Sequence, residues 1–268
     1  MRELGSRRIS WTLGWGVLAF LYAPLIVMAV FSFNDSDFTG LPFQGFTLRW
    51  YGMLLEDHRL LASVWNSVYV ALGVVALSTL FGVPAAIALD RFEFPGKAWF
   101  GRLVLLPIVL PGVITGVALL LFYMALHLRL SLYTIMLGQG TGLMCITITE
   151  VAARLRRMGR STEEAARTLG ANEWEVLQKV TLPGVMPALI GAMLIAFSIS
   201  FDEIAVTYLL TGRQNTLPMT LWSMLRREAT PEVNAVSTLV IAASVILIVL
   251  GTWFSRRGGS SVTQGRQR

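Results

Sequence analysis

The sequence predicts an all-α integral membrane protein with six transmembrane helices, on three observations. Of its 268 residues, 54% are hydrophobic and only 14% are charged, and the mean hydropathy is +0.63. A soluble domain of this length needs far more charge to cover its surface. The charges are also unevenly spaced. Six uncharged runs lie between Arg8 and Asp35, Arg59 and Asp90, Arg102 and Arg129, Arg129 and Glu150, Lys179 and Asp202, and Glu232 and Arg256. Each holds roughly twenty to thirty residues, enough to cross a bilayer core as a helix. The alternating apolar–polar decamers of a membrane barrel are absent, and backbone groups in lipid must be satisfied within their own segment, so helices are the expected form.

The first run reads as a retained helix. It is too long for the apolar core of a signal peptide, and no convincing small-residue cleavage site follows "IVMAVFSFND". Arg7-Arg8 is too little for twin-arginine export. The segment from Asp35 to about Leu61 mixes aromatic and polar residues, as does the one from about Thr211 to Val233. Both read as interfacial or short amphipathic helices, serving membrane-surface anchoring or ligand contact. In the third run, "LLPIVLPGVITGVALLLFY", Pro107 and Pro111 stand a turn apart and predict a bent span. Gly112 and Gly116, four residues apart, allow another helix to come close. Such a bend serves a pathway or plain packing. Cys145, the single cysteine, lies in the apolar fourth run and reads as a small buried residue, with no disulfide framework.

Lys and Arg set the orientation. With the N-terminus inside, Arg2, Arg7, Arg8, Arg91, Lys97, Arg102, Arg154, Arg156, Arg157, Arg160, Arg167, Lys179, Arg256, Arg257, Arg266 and Arg268 all fall inside. Arg49, Arg59, Arg129, Arg213, Arg226 and Arg227 fall outside. Sixteen against six predicts both termini in the cytoplasm. It also accounts for the net charge of +6 without nucleic acid as a partner.

One polar stretch stands out between the fourth and fifth runs: "STEEAARTLGANEWEVLQKVTLPGVMPAL", Ser161 to Leu189. Ser161 with Glu164 three residues on is the pattern of a capping box, and Glu163 and Glu164 suit the positive start of a helix. Gly170 is a natural left-handed terminator. Asn172 with Glu175 is a second capping box, for a helix to about Val180 that Leu182-Pro183 then breaks, with Pro187 opening the next span. The prediction is two short helices around a glycine turn, with Ala165, Ala166 and Leu169 on one face. Small residues there let a partner's groove approach; the other reading is a solvated loop.

Asp202 and Glu203 follow the fifth run directly. Ionisable groups at a span are expensive and point to function. Adjacent helical residues diverge by roughly 100°, so at most one of the two can face a pathway, where a carboxylate could pair with ammonium groups. The alternatives are a structural hydrogen bond to a neighbouring helix and a position at the outer interface. Phe197, Phe201 and Tyr208 could add cation–π contacts.

Other classes fare poorly. No G-x-x-x-x-G-K-[ST] occurs, so the chain has no P-loop for ATP. No nucleophile–base constellation stands out, so no catalytic residues, cofactor or metal site is expected; His58 and His127 read as interfacial. A secondary transporter, which often carries internal repeats, is the rival from another class, and no clear repeat relates the halves.

"EAARTLG…V-T-LP", that is Glu164, Ala165, Ala166, Gly170, Val180, Leu182 and Pro183, resembles the EAA loop of ABC importer permeases, with Val180 where the family more often has Ile. "FSFNDS", "TLRWYGMLLED", "NSVYVAL", "LPIVLPGVITGVALL", "FSISFDEIAVTYLLTG" and "TLPMTLWSMLRREATPEVNA" extend the resemblance over nearly the whole chain, to the spermidine/putrescine permease subfamily of type I importers. The resemblance implies a MetI-like bundle in a bacterial inner membrane. It implies a permease domain over 61–254, preceded by an N-terminal tail, first helix and external loop over 1–60 and followed by a basic tail over 255–268. The implied partners are cytoplasmic ABC ATPase subunits that hydrolyse the ATP, a second permease subunit, an external solute-binding protein and the lipid bilayer. The first EAA helix would be the coupling helix seated on the ATPase. The implied cargo is a polyamine, whose ammonium groups a carboxylate at Asp202 or Glu203 could meet, or else another small solute such as an opine or amino-acid-like compound.

Overall fold

The computed structural model describes residues 2–36, 40–227 and 231–258. Among them there are helices and no strands. The one departure is an isolated antiparallel bridge between Asn34 and Phe46. The chain falls into two compact units, one of residues 1–61 and 221–268, the other of residues 62–220.

In the first unit, α1 (Arg2–Phe31) and α12 (Pro231–Gly258) pack together, and α2 (Arg49–Glu56) packs on α12. α2 is the short amphipathic helix expected of the first outer segment: Trp50 and Leu54 are buried on one face while Met53 and Leu55 are exposed. The turn before it is tied down by hydrogen bonds. Trp50 Nε1 donates to Asn34 O at 2.9 Å, Gln44 N donates to Asn34 Oδ1 at 2.8 Å, and Phe33 stacks on Phe46 with ring centroids 5.2 Å apart. α1 exposes Trp11, Trp15, Phe20, Leu21 and Ile26, as a helix with lipid for solvent does.

The second unit contains most of α3 (His58–Arg91), then α4 (Lys97–Val109), α5 (Gly112–Ala125), α6 (Leu132–Met158), α7 (Ser161–Thr168), α8 (Glu173–Val176), a π-helical turn over Leu177–Thr181, α9 (Leu182–Phe201) and α10 (Ala205–Leu210). α11 (Leu217–Arg227), an amphipathic helix within the aromatic and polar segment from about Thr211 to Val233, crosses the boundary. α6 is the central element, packed against α9, α4 and α10. Two apolar clusters fill its flanks. One joins Val70, Val74, Tyr123, Ile135, Met136 and Leu210; the other joins Ala86, Ile148, Val151, Leu155, Val185 and Leu189.

Four helical stretches among the described residues are long and apolar enough to span: Leu13–Phe31, His58–Arg91, Leu132–Met158 and Glu173–Phe201. They match the first, second, fourth and fifth expected spans. The third is bent, as expected, and the bend is a full break: α4 and α5 meet at 109° and form a broken span or a re-entrant turn. Pro111 disfavours the helical conformation of the residue before it, and Leu110 sits at φ −78°, ψ 131°, with Pro111 itself at φ −57°, ψ 135°. Pro107 stays inside α4. The close contact expected of Gly112 and Gly116 is made with α10: a methyl on Gly112 would touch Ala205, and one on Gly116 would lie 3.3 Å from Val206 Cα. The sixth expected span falls on α12, helical over Pro231–Gly258, whose described apolar stretch is Pro231–Ala242. Residues 259–268 of the expected basic tail lie outside the described residues, as do 37–39 and 228–230 of the two aromatic and polar segments.

The tightest backbone approach in the second unit is at Gly212. A methyl there would overlap the Leu130 carbonyl oxygen and come within 2.9 Å of its carbon. Backbone cannot swing away as a side chain does, so Gly212→Ala is expected to cost about 1–3 kcal/mol. Gly142→Ala, with nothing within 4 Å of the new methyl, is expected to be neutral or slightly stabilising, because Ala is the better helix former. Thermal unfolding of the two detergent-solubilised variants checks the contrast.

Candidate functional site

The polar stretch forms the two short helices expected, with its start shifted. α7 begins at Ser161 itself and the cap position is Arg160, with no side-chain cap bond, so the Ser161–Glu164 capping box does not form. The chain turns one residue earlier, at Gly159 with φ 69°. Arg160 is held there because its Nη2 donates to the carbonyls of Asp90 and Arg91, at 2.9 and 3.4 Å. Glu164 is exposed, and its carboxylate has no hydrogen-bond or ion-pair partner among the described residues.

Its neighbour Glu163 is buried, with 2% of its surface exposed. Arg91, the last residue of α3, approaches it with two nitrogens: Nε lies 3.0 Å from Oε2 and Nη2 donates to Oε1 at 3.1 Å. Thr181, at the end of the π turn, donates its hydroxyl to Oε1 at 2.9 Å. Arg91 also donates to Gly159 O at 2.9 Å and pairs with Asp90. A carboxylate out of water needs such a set, since removing one partner of a buried pair costs about 3–5 kcal/mol. The sequence reading gave Glu163 only a helix-dipole role. The available signal was its position: as the third residue of α7, it points away from the face of Ala165 and Leu169.

The opposite face of α7 is open. Ala165 is exposed, Ala166 half-buried, and Leu169 is 88% exposed; Trp174 beyond it is 64% exposed. Gly170 ends α7 at φ 90°, where Gly170 N donates to Arg167 O and Ala171 N to Ala166 O, at 2.9 and 3.1 Å. This is the expected left-handed terminator with its paired closing bonds. The Asn172–Glu175 capping box is complete: Glu175 N donates to Asn172 Oδ1 at 2.9 Å and Asn172 N to Glu175 Oε2 at 3.1 Å. Arg167 joins the two helices by donating to Glu173 at 2.7 and 3.0 Å. That bond raises the Arg167 pKa further, so the link keeps its positive charge.

Leu182-Pro183 does not break the chain as expected. α8 runs through the π turn into α9 without interruption, and Leu182 N donates to Leu177 O, five residues back. The widened turn relieves the clash a proline ring otherwise makes with the carbonyl four residues earlier. Val180 and Leu182 are half-buried and Pro183 is exposed.

Asp202 and Glu203 separate as helix geometry requires. Asp202 caps the end of α9, is exposed, and continues an exposed stripe through Ile190, Leu194 and Ser198. Glu203 turns inward and caps α10: its Oε2 accepts from the backbone N–H groups of Val206 and Thr207 at 2.9 and 3.1 Å. Beside it runs a buried chain of polar side chains that the sequence reading missed. Ser200 donates to Gln139 Oε1 at 2.5 Å, and Gln139 Nε2 donates to Thr207 Oγ1 at 2.7 Å. Gln139 inside the uncharged fourth run was the visible clue. Phe197 and Phe201 stack on one another, ring centroids 6.0 Å apart, and Tyr208 is exposed. No group of three His, Cys, Asp or Glu among the described residues is placed to hold a metal.

Loss of the Asn172 cap is expected to cost about 1 kcal/mol. In Asn172→Ala, amide exchange over 172–180 should therefore quicken about fivefold, with the helices before Gly159 unaffected.

The comparisons with known proteins agree in kind. Residues 78–258 match the family described as binding-protein-dependent transport system inner membrane component. The spermidine/putrescine transport system permease protein PotC of Escherichia coli strain K12 is 31% identical over 241 residues, covering 90% of this chain and 91% of that protein. The putrescine transport system permease protein PotI of the same strain is 34% identical over 257 residues, covering 93% and 91%. A bacterial ABC transporter involved in the import of the acidic polysaccharide alginate has a chain of the same fold, with TM-score 0.71 at 19% identity, covering 95% of this chain and 96% of its own. The chain therefore belongs to the binding-protein-dependent transport system inner membrane component family: it is a membrane-spanning permease subunit of an ABC importer with the MetI-like fold, and the ATPase is a separate subunit.

Proposed function

We propose that this subunit forms part of the translocation pathway for a polyamine, putrescine or spermidine, together with a second permease subunit. The observation that carries the substrate is the similarity over nine-tenths of the chain to two relatives named for putrescine and spermidine transport. The partners of this reading are cytoplasmic ATPase subunits and an external solute-binding protein. Both termini are cytoplasmic, as the Lys and Arg distribution favours, and the permease domain is 61–254.

In this reading the α7 loop is the contact with the ATPase. The exposed Ala165 and Leu169 with the half-buried Ala166 beside them, the turn at Gly170 and Glu164, without a side-chain partner among the described residues, support it, and Leu182-Pro183 sets the register of α9 behind the loop. A bulky or charge-reversed residue on that face should block seating without touching the core. Glu164→Arg is expected to leave the permease in the membrane at normal level, while co-purification with the ATPase and ATP-driven uptake both fall about tenfold or more; Gly170→Trp should do the same to association, with an added backbone strain at φ 90°. Undiminished association and uptake would overturn the assignment.

Asp202 is the pathway carboxylate of this reading, because it is exposed on a stripe with Ser198 and lacks a partner among the described residues. Glu203 supports the site as the cap of α10. Cells lacking the gene, with and without a restored copy, are compared for uptake of labelled putrescine and spermidine. Restored wild type should recover uptake. Asp202→Asn should recover it only in part, with complex assembly intact, since a charge-assisted hydrogen bond to an ammonium group is worth about 1.5–3 kcal/mol. Glu203→Gln should instead lower stability. Uptake unaffected by the deletion, in cells with no second importer, would remove the polyamine assignment; full recovery with Asp202→Asn would remove Asp202 from the pathway.

A further inference from the structure

α7 is joined to its neighbours in the chain by two glycine turns, Gly159 at φ 69° and Gly170 at φ 90°, and neither has packing within 4 Å of where a side chain would begin. Such joints transmit little force along the chain. The firm connection is through space. Glu163 on the buried side of α7 grips Arg91 at the end of α3 and Thr181 at the start of α9. Arg160 reaches the carbonyls of the same two α3 residues, Asp90 and Arg91. Arg156, on the last turn of α6, lies 3.9 Å from Asp90. One carboxylate thus ties the open loop to two long helices at once, and the Arg91 guanidinium it meets is itself fixed by Gly159 O and Asp90.

We propose that Glu163, Arg91 and Thr181 form a clamp that carries displacement of α7 into α3 and α9, and so sets how much solute moves per ATP hydrolysed. The proposal rests on the reading of α7 as the ATPase contact. The three are positioning residues: Glu163 and Thr181 are buried and Arg91 is nearly so, so none contacts the ATPase or the solute directly. A purely structural ion pair makes a different prediction. Losing it would reduce folding, association, hydrolysis and uptake together. Losing a transmission clamp separates hydrolysis from uptake.

The test measures labelled putrescine uptake and ATP hydrolysis on the same proteoliposomes holding the assembled importer. Glu163→Gln keeps the size and hydrogen-bonding capacity of the side chain and removes its charge. Thr181→Val keeps the shape and removes one hydrogen bond; it carries the test wherever Glu163→Gln fails to assemble. Elements along a coupling route modulate it by about 0.5–2 kcal/mol, so solute moved per ATP should fall about tenfold in Glu163→Gln and about threefold in Thr181→Val, with hydrolysis within about twofold of wild type. An unchanged ratio in both variants, or a parallel loss of association, hydrolysis and uptake in both, overturns the clamp. The docking face is tested separately by Glu164→Arg, so full coupling in both Glu163→Gln and Thr181→Val removes the clamp while leaving the loop assignment in place.

Discussion

The second unit is organised around one buried carboxylate. Glu163 has almost no contact with water, and an isolated charge there would be intolerable. Its position is tolerable because Arg91 presents a two-pronged guanidinium to both oxygens and Thr181 donates its hydroxyl to Oε1. This requirement fixes several things together. It sets where α3 ends and which turn of the π segment faces α7. It also sets the way α7 lies, so that Ala165 and Leu169 face outward. An exposed surface pair would contribute little and could be remade in many geometries. A buried one held by three donor groups from two residues has few alternatives, which makes it an effective locator of a loop that has little apolar area of its own.

The helices that cross the bilayer were legible in the sequence because lipid imposes a simple rule: long uncharged runs, bounded by charges. Local codes with one solution were legible too. Gly170 is left-handed because few other residues sit there without strain, and Asn172 with Glu175 closes a reciprocal box that needs nothing from the rest of the fold. Features decided by distant residues were not. Ser161 had the pattern of a cap, and Arg160, anchored on carbonyls about seventy positions away in the chain, took its place. Pro183 had the pattern of a breaker, and a π turn absorbed it. Pro107 and Pro111 looked equivalent. Only Pro111, with Leu110 driven into extended backbone, turned the chain by 109°.

The acidic pair shows how the same rules divide adjacent residues. A helix ending at Phe201 sends Asp202 and Glu203 to different sides. Glu203 meets the free N–H groups at the start of α10, whose demand for an acceptor is met most strongly by an anion. Its cap and the Ser200–Gln139–Thr207 chain hold α6, α9 and α10 in register. Asp202 is left with none of these partners. Of two adjacent carboxylates, one is thus a fixed structural acceptor, and the other stands exposed without such bonds among the described residues.

The continuity of α8, the π turn and α9 joins these two ends. Had Leu182-Pro183 broken the helix, the polar loop and Asp202 would belong to separate elements, and motion of one would be lost at the hinge. Instead a single 29-residue helical path runs from Glu173 to Phe201, about 43 Å at 1.5 Å per residue. Thr181 stands near its first third, where Glu163 holds it, and Asp202 stands at its far end. A continuous helix carries rotation and translation along its axis because its backbone hydrogen bonds tie successive turns together. The π turn departs from the regular hydrogen-bond register, and it sits beside the clamp. In the proposed reading, small movements of α7 therefore enter the rod at the π turn and leave it at the exposed carboxylate.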